Sequence, residues 1–277
     1  MSIMIYRLAC VTALVALTAC SDLLPAQTTV DADPDEVTVT IDGVNVAMNV
    51  PAGVGTFTIP NLHAPMVRLQ WADEAANHDQ LKIKPLVDRW EIKLPKSTTE
   101  QQLQLWLDDP ARTTAAVKPI AAAADGGFTI PAHAAHVVGE KLRYELQPWK
   151  NTVGYWAVVD DYMYFLIDCD RGGSWNVGLL QGCGQGHGGS DAVISLHGPL
   201  TDLSLFATDQ APVESAAVSQ IEFNAQETGH FQNFIWRHVG RIELSDPGVY
   251  ALKISATKIA KGAVMDVRSV SLTRLPD

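Results

Sequence analysis

Asp108-Asp109 and Asp160-Asp161 are the carboxylate doublets that could serve hydrolysis. Cleaving a glycosidic bond takes two carboxyl groups about 5–10 Å apart across a cleft. Neighbours on a strand point to opposite faces, so neither doublet makes such a dyad, and Asp108-Asp109-Pro110 reads as a strand ending in a turn. His133-x-x-His136 has the spacing that sets two ligands on one helical face. Its surroundings read as strand or loop, Pro131 precedes it and no nearby carboxylate completes a triad, so zinc is not expected there. Cys169, Cys183 and His187 match no standard finger spacing. In an exported protein a Cys169–Cys183 disulfide is the natural thought. A hairpin turning near Gly172-Gly173 would set Cys183 opposite Tyr162, too far along the ladder for a bridge, so two buried thiols are expected instead. The glycine-rich stretch 182–189 (GCGQGHGG) runs into a strand rather than a helix and is not a phosphate cradle. It reads as a long loop at the rim of a ligand site, with His187 and Asp191 as polar contacts. No catalytic set emerges.

Binding is better supplied. Sugars offer an apolar C–H face and a belt of hydroxyls, so their sites pair a flat aromatic ring with amide, carboxylate or guanidinium groups. Trp149-Lys150-Asn151 fits a loop platform, Tyr155-Trp156 stands at a strand entry, and Trp236-Arg237-His238 is a second aromatic and basic group. Sandwich cores also bury Trp and Tyr, so at least half of these rings belong to the core; of the adjacent Tyr155 and Trp156, one faces inward and one outward. The expected ligand contacts are Trp149, Asn151, Trp156, His187, Asp191, Trp236 and Arg237.

The chain has 277 residues, 47% of them apolar, and a net charge of −11. That balance argues for a real core and against a nucleic-acid partner, which needs a basic footprint. Arg7 precedes an apolar run from Leu8 to Ala19, too short for a membrane span of about 20 residues and suited to an export signal. Leu17-Thr18-Ala19-Cys20 resembles a bacterial lipobox, which implies cleavage after residue 19, lipidation of Cys20 and a membrane anchor. Ser21 follows the cysteine, as in lipoproteins released to the outer membrane, and residues 20–36 read as an acidic tether.

From Val37 the apolar period is near two. Asp42-Gly43 reads as a hairpin turn pairing Ile41 with Val44, Val39 with Val46 and Val37 with Met48. Further strands are expected around Val67-Leu69-Trp71, Trp90-Ile92-Leu94 and Leu103-Leu105-Leu107, making residues 37–112 a small antiparallel β domain. An Ala- and Gly-rich stretch follows, then longer strands over 162–169, 175–180, 192–196, 249–256 and 264–275. The last slips phase between Val267 and Val270, which predicts a bulge. The fold class is all-β: a small antiparallel sandwich, then a second sandwich over 113–277.

Several phrases of the second half occur in a telling order. Phe128-x-Ile130-x-Ala132-x-x-Ala135 leads to Gly139-x-x-Leu142-x-Tyr144-Glu145, then Val153-Gly154-Tyr155-Trp156 and Asp161-Tyr162. Gly173-x-Trp175-x-Val177, Cys183-x-x-Gly186-x-Gly188-Gly189-Ser190, Leu252-x-Ile254 and Met265-Asp266-Val267-Arg268-x-Val270-x-Leu272 complete it. This order resembles the accessory module of bacterial α-L-fucosidases, and Trp90-x-Ile92-x-Leu94-Pro95 resembles the small β domain preceding it. The resemblance implies a galactose-binding-like jelly roll of the carbohydrate-binding type over about 113–275. The residues before 37 leave no room for a catalytic barrel, so no catalytic residue carries over. Modules of this type often hold a structural calcium between first and last strands. Asp266 stands on the last strand with Glu140 and Glu145 as candidate partners, although His133 and His136 occupy the first strand where a Glu would serve. No cofactor is required.

These readings converge on a non-catalytic, lipid-anchored protein of the cell envelope that binds a glycan or glycoconjugate. The alternatives are a structural or adhesion lipoprotein with a protein partner, and an accessory subunit for a separate glycoside hydrolase.

Overall fold

The computed structural model describes residues 28–31, 37–73, 78–208 and 210–276. Cys20 and the export signal lie outside them. The chain is all-β, with only short 3-10 turns between strands among the described residues. The first eight strands are β1 (Thr28–Asp31), β2 (Thr38–Asp42), β3 (Asn45–Val50), β4 (Thr56–Pro60), β5 (Met66–Trp71), β6 (Lys82–Pro85), β7 (Arg89–Lys93) and β8 (Gln101–Leu107). Then come β9 (Ile120–Ala121), β10 (Phe128–Pro131), β11 (His136–Val138), β12 (Arg143–Glu145), β13 (Thr152–Gly154) and β14 (Tyr162–Cys169). The last are β15 (Gly173–Gly182), β16 (Asp191–His197), β17 (Ala217–Asn224), β18 (Ile235–Leu244), β19 (Gly248–Lys258) and β20 (Asp266–Arg274).

The first eight pair only among themselves, as a five-stranded sheet β1-β2-β3-β8-β5 and a three-stranded sheet β4-β7-β6. Their alternating apolar residues meet between the sheets: Val39, Ile41, Val46, Met48, Leu103 and Leu105 on one side, Phe57, Ile59, Trp90 and Ile92 on the other. The hairpin register differs from expectation. Ile41 pairs with Val46 and Val39 with Met48, because Gly43 and Val44 form the turn, with Gly43 at φ +57° in the left-handed region glycine tolerates. The two-residue displacement preserves the face, so Val37, Val39, Ile41, Val46 and Met48 still reach the core while Val44 is left in the turn. Val67 is exposed and Met66 buried, since a bulge between Met66 and Arg68 reverses that strand's phase. β1 lies within the expected tether and pairs with the edge of β2.

The remaining strands form two six-stranded sheets. One follows β12-β13-β20-β15-β18 with β10 beside β20; the other follows β11-β14-β19-β16-β17 with β9 beside β14. Trp175, Val177 and Leu179 of the first sheet and Phe165, Ile167, Ile194 and Leu196 of the second are buried in one core. Each such side chain contributes about 1.5–3 kcal/mol by leaving water. Arg268 is the bulged residue between Val267 and Ser269, where the phase slip predicted it. Cys169 and Cys183 are free, buried thiols, which burial pushes up to about 12 and about 11. The expected hairpin between them does not form: β14 and β15 lie in different sheets, so the chain crosses the sandwich at residues 170–172.

Asp161 is a structural carboxylate. Its Oδ1 accepts from the Glu140 N–H at 2.7 Å, and its Oδ2 from Lys141 and Leu142 at 2.9 and 2.8 Å. Gly139, at φ +141°, leaves room for it, since a Cβ there would stand 2.0 Å from Oδ1.

Where the two sandwiches meet, His63 Nδ1 lies 3.2 Å from the His133 carbonyl and its Nε2 3.1 Å from the Thr114 hydroxyl. A carbonyl only accepts, so Nδ1 carries the hydrogen and Nε2 accepts. His136 stacks on Tyr164 at 4.8 Å and tilts against His63, while His133 meets Asp109 at 3.2 Å, a carboxylate the sequence spacing did not reveal. Burial depresses His63 to about 3, with His136 beside it adding to the effect, and depresses His136 to about 4.

Two predictions follow from this packing. Asp161→Ala leaves three backbone N–H groups, that of Leu142 buried, without their acceptor and lowers unfolding free energy by on the order of 3 kcal/mol, read from urea midpoints; a loss under about 1 kcal/mol would contradict the structural role. The unfolded chain protonates His63 and His136 below about pH 6.5 while the folded chain resists, so stability falls as pH drops from there toward about 4. His136→Phe, which keeps a ring on Tyr164, makes that slope in Tm against pH shallower; an unchanged slope would contradict the assignment.

Candidate functional site

Three residues of the adjacent strands β12, β13 and β20 stand at one end of the sheet, Gly154 being opposite Arg143 and Glu145 opposite Thr152. Tyr144, Val153 and Val267 are buried in the core, so their neighbours Glu145, Gly154 and Asp266 face the other way. There they are covered by loops, and a cavity of about 300 Å³ opens among Glu145, Lys150, Tyr155, Phe231, Gly262 and Asp266.

Gly154 brings the carboxylates together. A Cβ on it would stand 2.7 Å from Asp266 Oδ1 and 2.8 Å from Glu145 Oε2, closer than any real side chain tolerates. Glu145 Oε1 accepts a hydrogen bond from Lys150 Nζ. Asp266 is only 5% exposed, and among the described residues its carboxylate has no hydrogen-bond partner. Burial raises it to about 8, Glu145 pushes the same way and Lys150 opposes. One carboxylate is thus held by an ammonium, and the other carries a proton at neutral pH.

Tyr155 forms the aromatic wall. It is 52% exposed at φ +61°, a backbone conformation that a bulky side chain adopts only when its surroundings impose it. Its ring is clamped by the Arg143 guanidinium at 3.4 Å, with Lys150 Nζ 5.5 Å away.

The expected ligand residues divide. Trp156 is corrected: it is wholly buried, its Nε1 donating to the Asp161 carbonyl at 2.9 Å, and Tyr155 is the outward member of the pair. Trp149 is 65% exposed on the turn that carries Lys150. Asn151 accepts from the Tyr144 hydroxyl at 2.9 Å and donates its N–H to the Gln147 carbonyl, so it fixes that turn. His187 packs on Phe231 at 5.2 Å and beside Gly262, behind the cavity wall. Asp191 accepts from Asn224 and lines a separate hollow with Glu222 and Thr257. Arg237 is committed to Gln181 at 2.7 Å and the Asn224 carbonyl at 3.0 Å, while Trp236 lies half-exposed above Gly178; neither lines the cavity.

Of the two candidate calcium partners, one lies beside Asp266. Glu140 is exposed on the turn that Asp161 anchors, and the carboxylate beside Asp266 is Glu145. Calcium takes about 6–8 oxygens. Among the described residues no three His, Cys, Asp or Glu side chains gather as ligands, and Lys150 engages Glu145. Lys150, Tyr155 and Phe231 were absent from the expected contacts; the turn at Pro148 and the adjacent Tyr155-Trp156 pair were the sequence signals available for the first two.

No protein-family model matches the sequence, and no curated protein matches it. Among solved structures, a family 35 carbohydrate-binding module from Clostridium thermocellum is 13% identical, with a TM-score of 0.35 over 54% of this chain and 98% of its own. A Podospora anserina mannanase with a family 35 module is 16% identical, at TM-score 0.34 over 55% of this chain and 28% of its own. The α-L-fucosidase of Vibrio sp. strain EJY3 is 10% identical, at 0.31 over 85% of this chain and 39% of its own. This chain therefore spans under half the length of those two enzymes. The similar structures include a fucosidase and carbohydrate-binding modules without singling out the fucosidase accessory pair, and at these scores the likeness carries no argument about ligand.

The Asp266 environment predicts a stability signature. Its carboxyl holds a proton up to about pH 8 in the folded chain and loses it near pH 4 when unfolded, so it makes stability fall as pH rises between those values. Asp266→Asn removes that loss: its Tm gain over the parent is larger at pH 8 than at pH 4.5. A gain independent of pH, or a loss at both, would contradict this environment.

Proposed function

We propose that this chain is a non-catalytic carbohydrate-binding protein, anchored through Cys20 to the outer membrane of the cell envelope, and that it takes its ligand in the Glu145–Lys150–Tyr155–Asp266 cavity. The observation that carries the reading is the half-exposed Tyr155 ring, clamped by Arg143, beside two buried carboxylates and an ammonium. A sugar's C–H face suits the ring and its hydroxyls suit the charged acceptors and donors. The volume of about 300 Å³ suits one or two sugar rings rather than a long chain. Trp149 projects from the same turn as Lys150 and would extend the platform.

A second reading, protein–protein assembly, draws on the exposed Val218, Ile235 and Trp236, which stand on the edge strands β17 and β18 of the two sheets.

A glycan array probed with the full chain tests the first reading. It predicts a saturable hit that Tyr155→Ala weakens at least tenfold and Trp236→Ala leaves unchanged. Silence across the array from a folded chain, or a hit lost through Trp236 alone, would contradict it.

A further inference from the structure

We propose that the sugar taken by this cavity carries a protonated primary amine, held between Asp266 and Glu145; the inference rests on the glycan-binding reading above. Asp266 Oδ1 and Glu145 Oε2 converge on the gap that Gly154 leaves, and Lys150 engages Glu145 through its other oxygen, Oε1. Two carboxyl groups that converge on one gap, one ionised and one protonated, suit a donor that serves both once Asp266 gives up its proton. A hydroxyl has one O–H, whereas an ammonium has three N–H donors and a charge that offsets their repulsion. With a neutral sugar Asp266 keeps its proton, and the charge-assisted contacts that an ammonium makes with both carboxylates do not form.

Burial and the neighbouring Glu145 make an uncompensated charge on Asp266 costly, which a cation at this point would offset. Asp266 keeps a proton against an ordinary carboxyl's tendency to lose it, so a proton occupies the place that the ligand's ammonium would fill. The titratable groups around Asp266 are Glu145, Lys150 and the Cys183 thiol, with the Tyr155 phenol on the cavity wall. A divalent metal ion needs more oxygens than these two carboxyl groups supply and would crowd Lys150, whereas an ammonium can be served by the two. On binding, the ligand ammonium stays charged, Asp266 ionises, and its proton passes to solvent. Affinity for the amine therefore rises with pH until Asp266 has lost its proton, whereas a neutral sugar has no such dependence.

The test titrates the full chain by calorimetry with glucosamine, galactosamine and mannosamine, each beside its N-acetyl and 2-hydroxyl counterparts, and with n-butylamine. At least one amine is expected to bind tenfold or more tightly than both its counterparts. Its affinity should rise several-fold from pH 6 to pH 7, and its heat should vary with buffer in the way that proton release requires. Asp266→Asn should erase the preference for the amine over its counterparts. Counterparts that bind as tightly as the amines would overturn the amine and leave the glycan reading standing. n-Butylamine matching the amino sugars would overturn recognition of the sugar. No binding by any of these ligands would overturn the proposal, with the array deciding the glycan reading separately.

Discussion

Two six-stranded sheets each hide an apolar face against the other, and that shared burial sets the conditions for every other feature of the larger sandwich. Neither face is stable alone in water, and from β14 to β20 the chain changes sheet at every connection except that between β16 and β17. The constraint fixes phase. Once Tyr144, Val153 and Val267 point into the core, Glu145, Gly154 and Asp266 must point out of it on three adjacent strands. Once Trp156 fills the interior beside Asp161, Tyr155 is turned outward at a backbone angle it would not choose. The cavity is therefore a consequence of core packing as much as of loop placement.

What the core places there is electrostatically expensive. Two carboxylates share a buried corner, an ammonium engages one of them, and the charge of the other is relieved by a proton. A fold selected only for stability would fill such a corner with apolar groups; retaining the charges makes sense where a ligand completes them. Asp161 is the instructive contrast within the same sandwich: an equally buried carboxylate whose lone pairs are satisfied by three backbone N–H groups. One acid is finished by the protein, and the other is left open to the cavity.

Legibility in the sequence followed local periodicity. The strands with clear alternation, from Val39-Ile41 to Leu103-Leu105-Leu107, and the bulge at Arg268 could be read directly, because a period of two and its interruption are properties of consecutive residues. β17 and β18 escaped notice because much of their length is exposed and so carries little apolar pattern. The Gly43-Val44 turn displaced the hairpin register by an amount that periodicity cannot detect. The site was legible only in part. Trp149 announces itself among polar neighbours, but the meeting of Glu145 with Asp266 across Gly154 joins residues more than a hundred positions apart, and no spacing rule links them. Trp156 misled because adjacent aromatics tell that one faces inward without telling which.

The most direct test of the account is an amide chemical-shift map of the ¹⁵N-labelled full chain titrated with its best glycan ligand. The account predicts that the largest shifts cluster at Gly154, Tyr155, Phe231, Gly262 and Asp266, the residues that form or adjoin the cavity. Shifts centred instead on Trp236 and its neighbours along β18, or around His133 where the sandwiches meet, would contradict it.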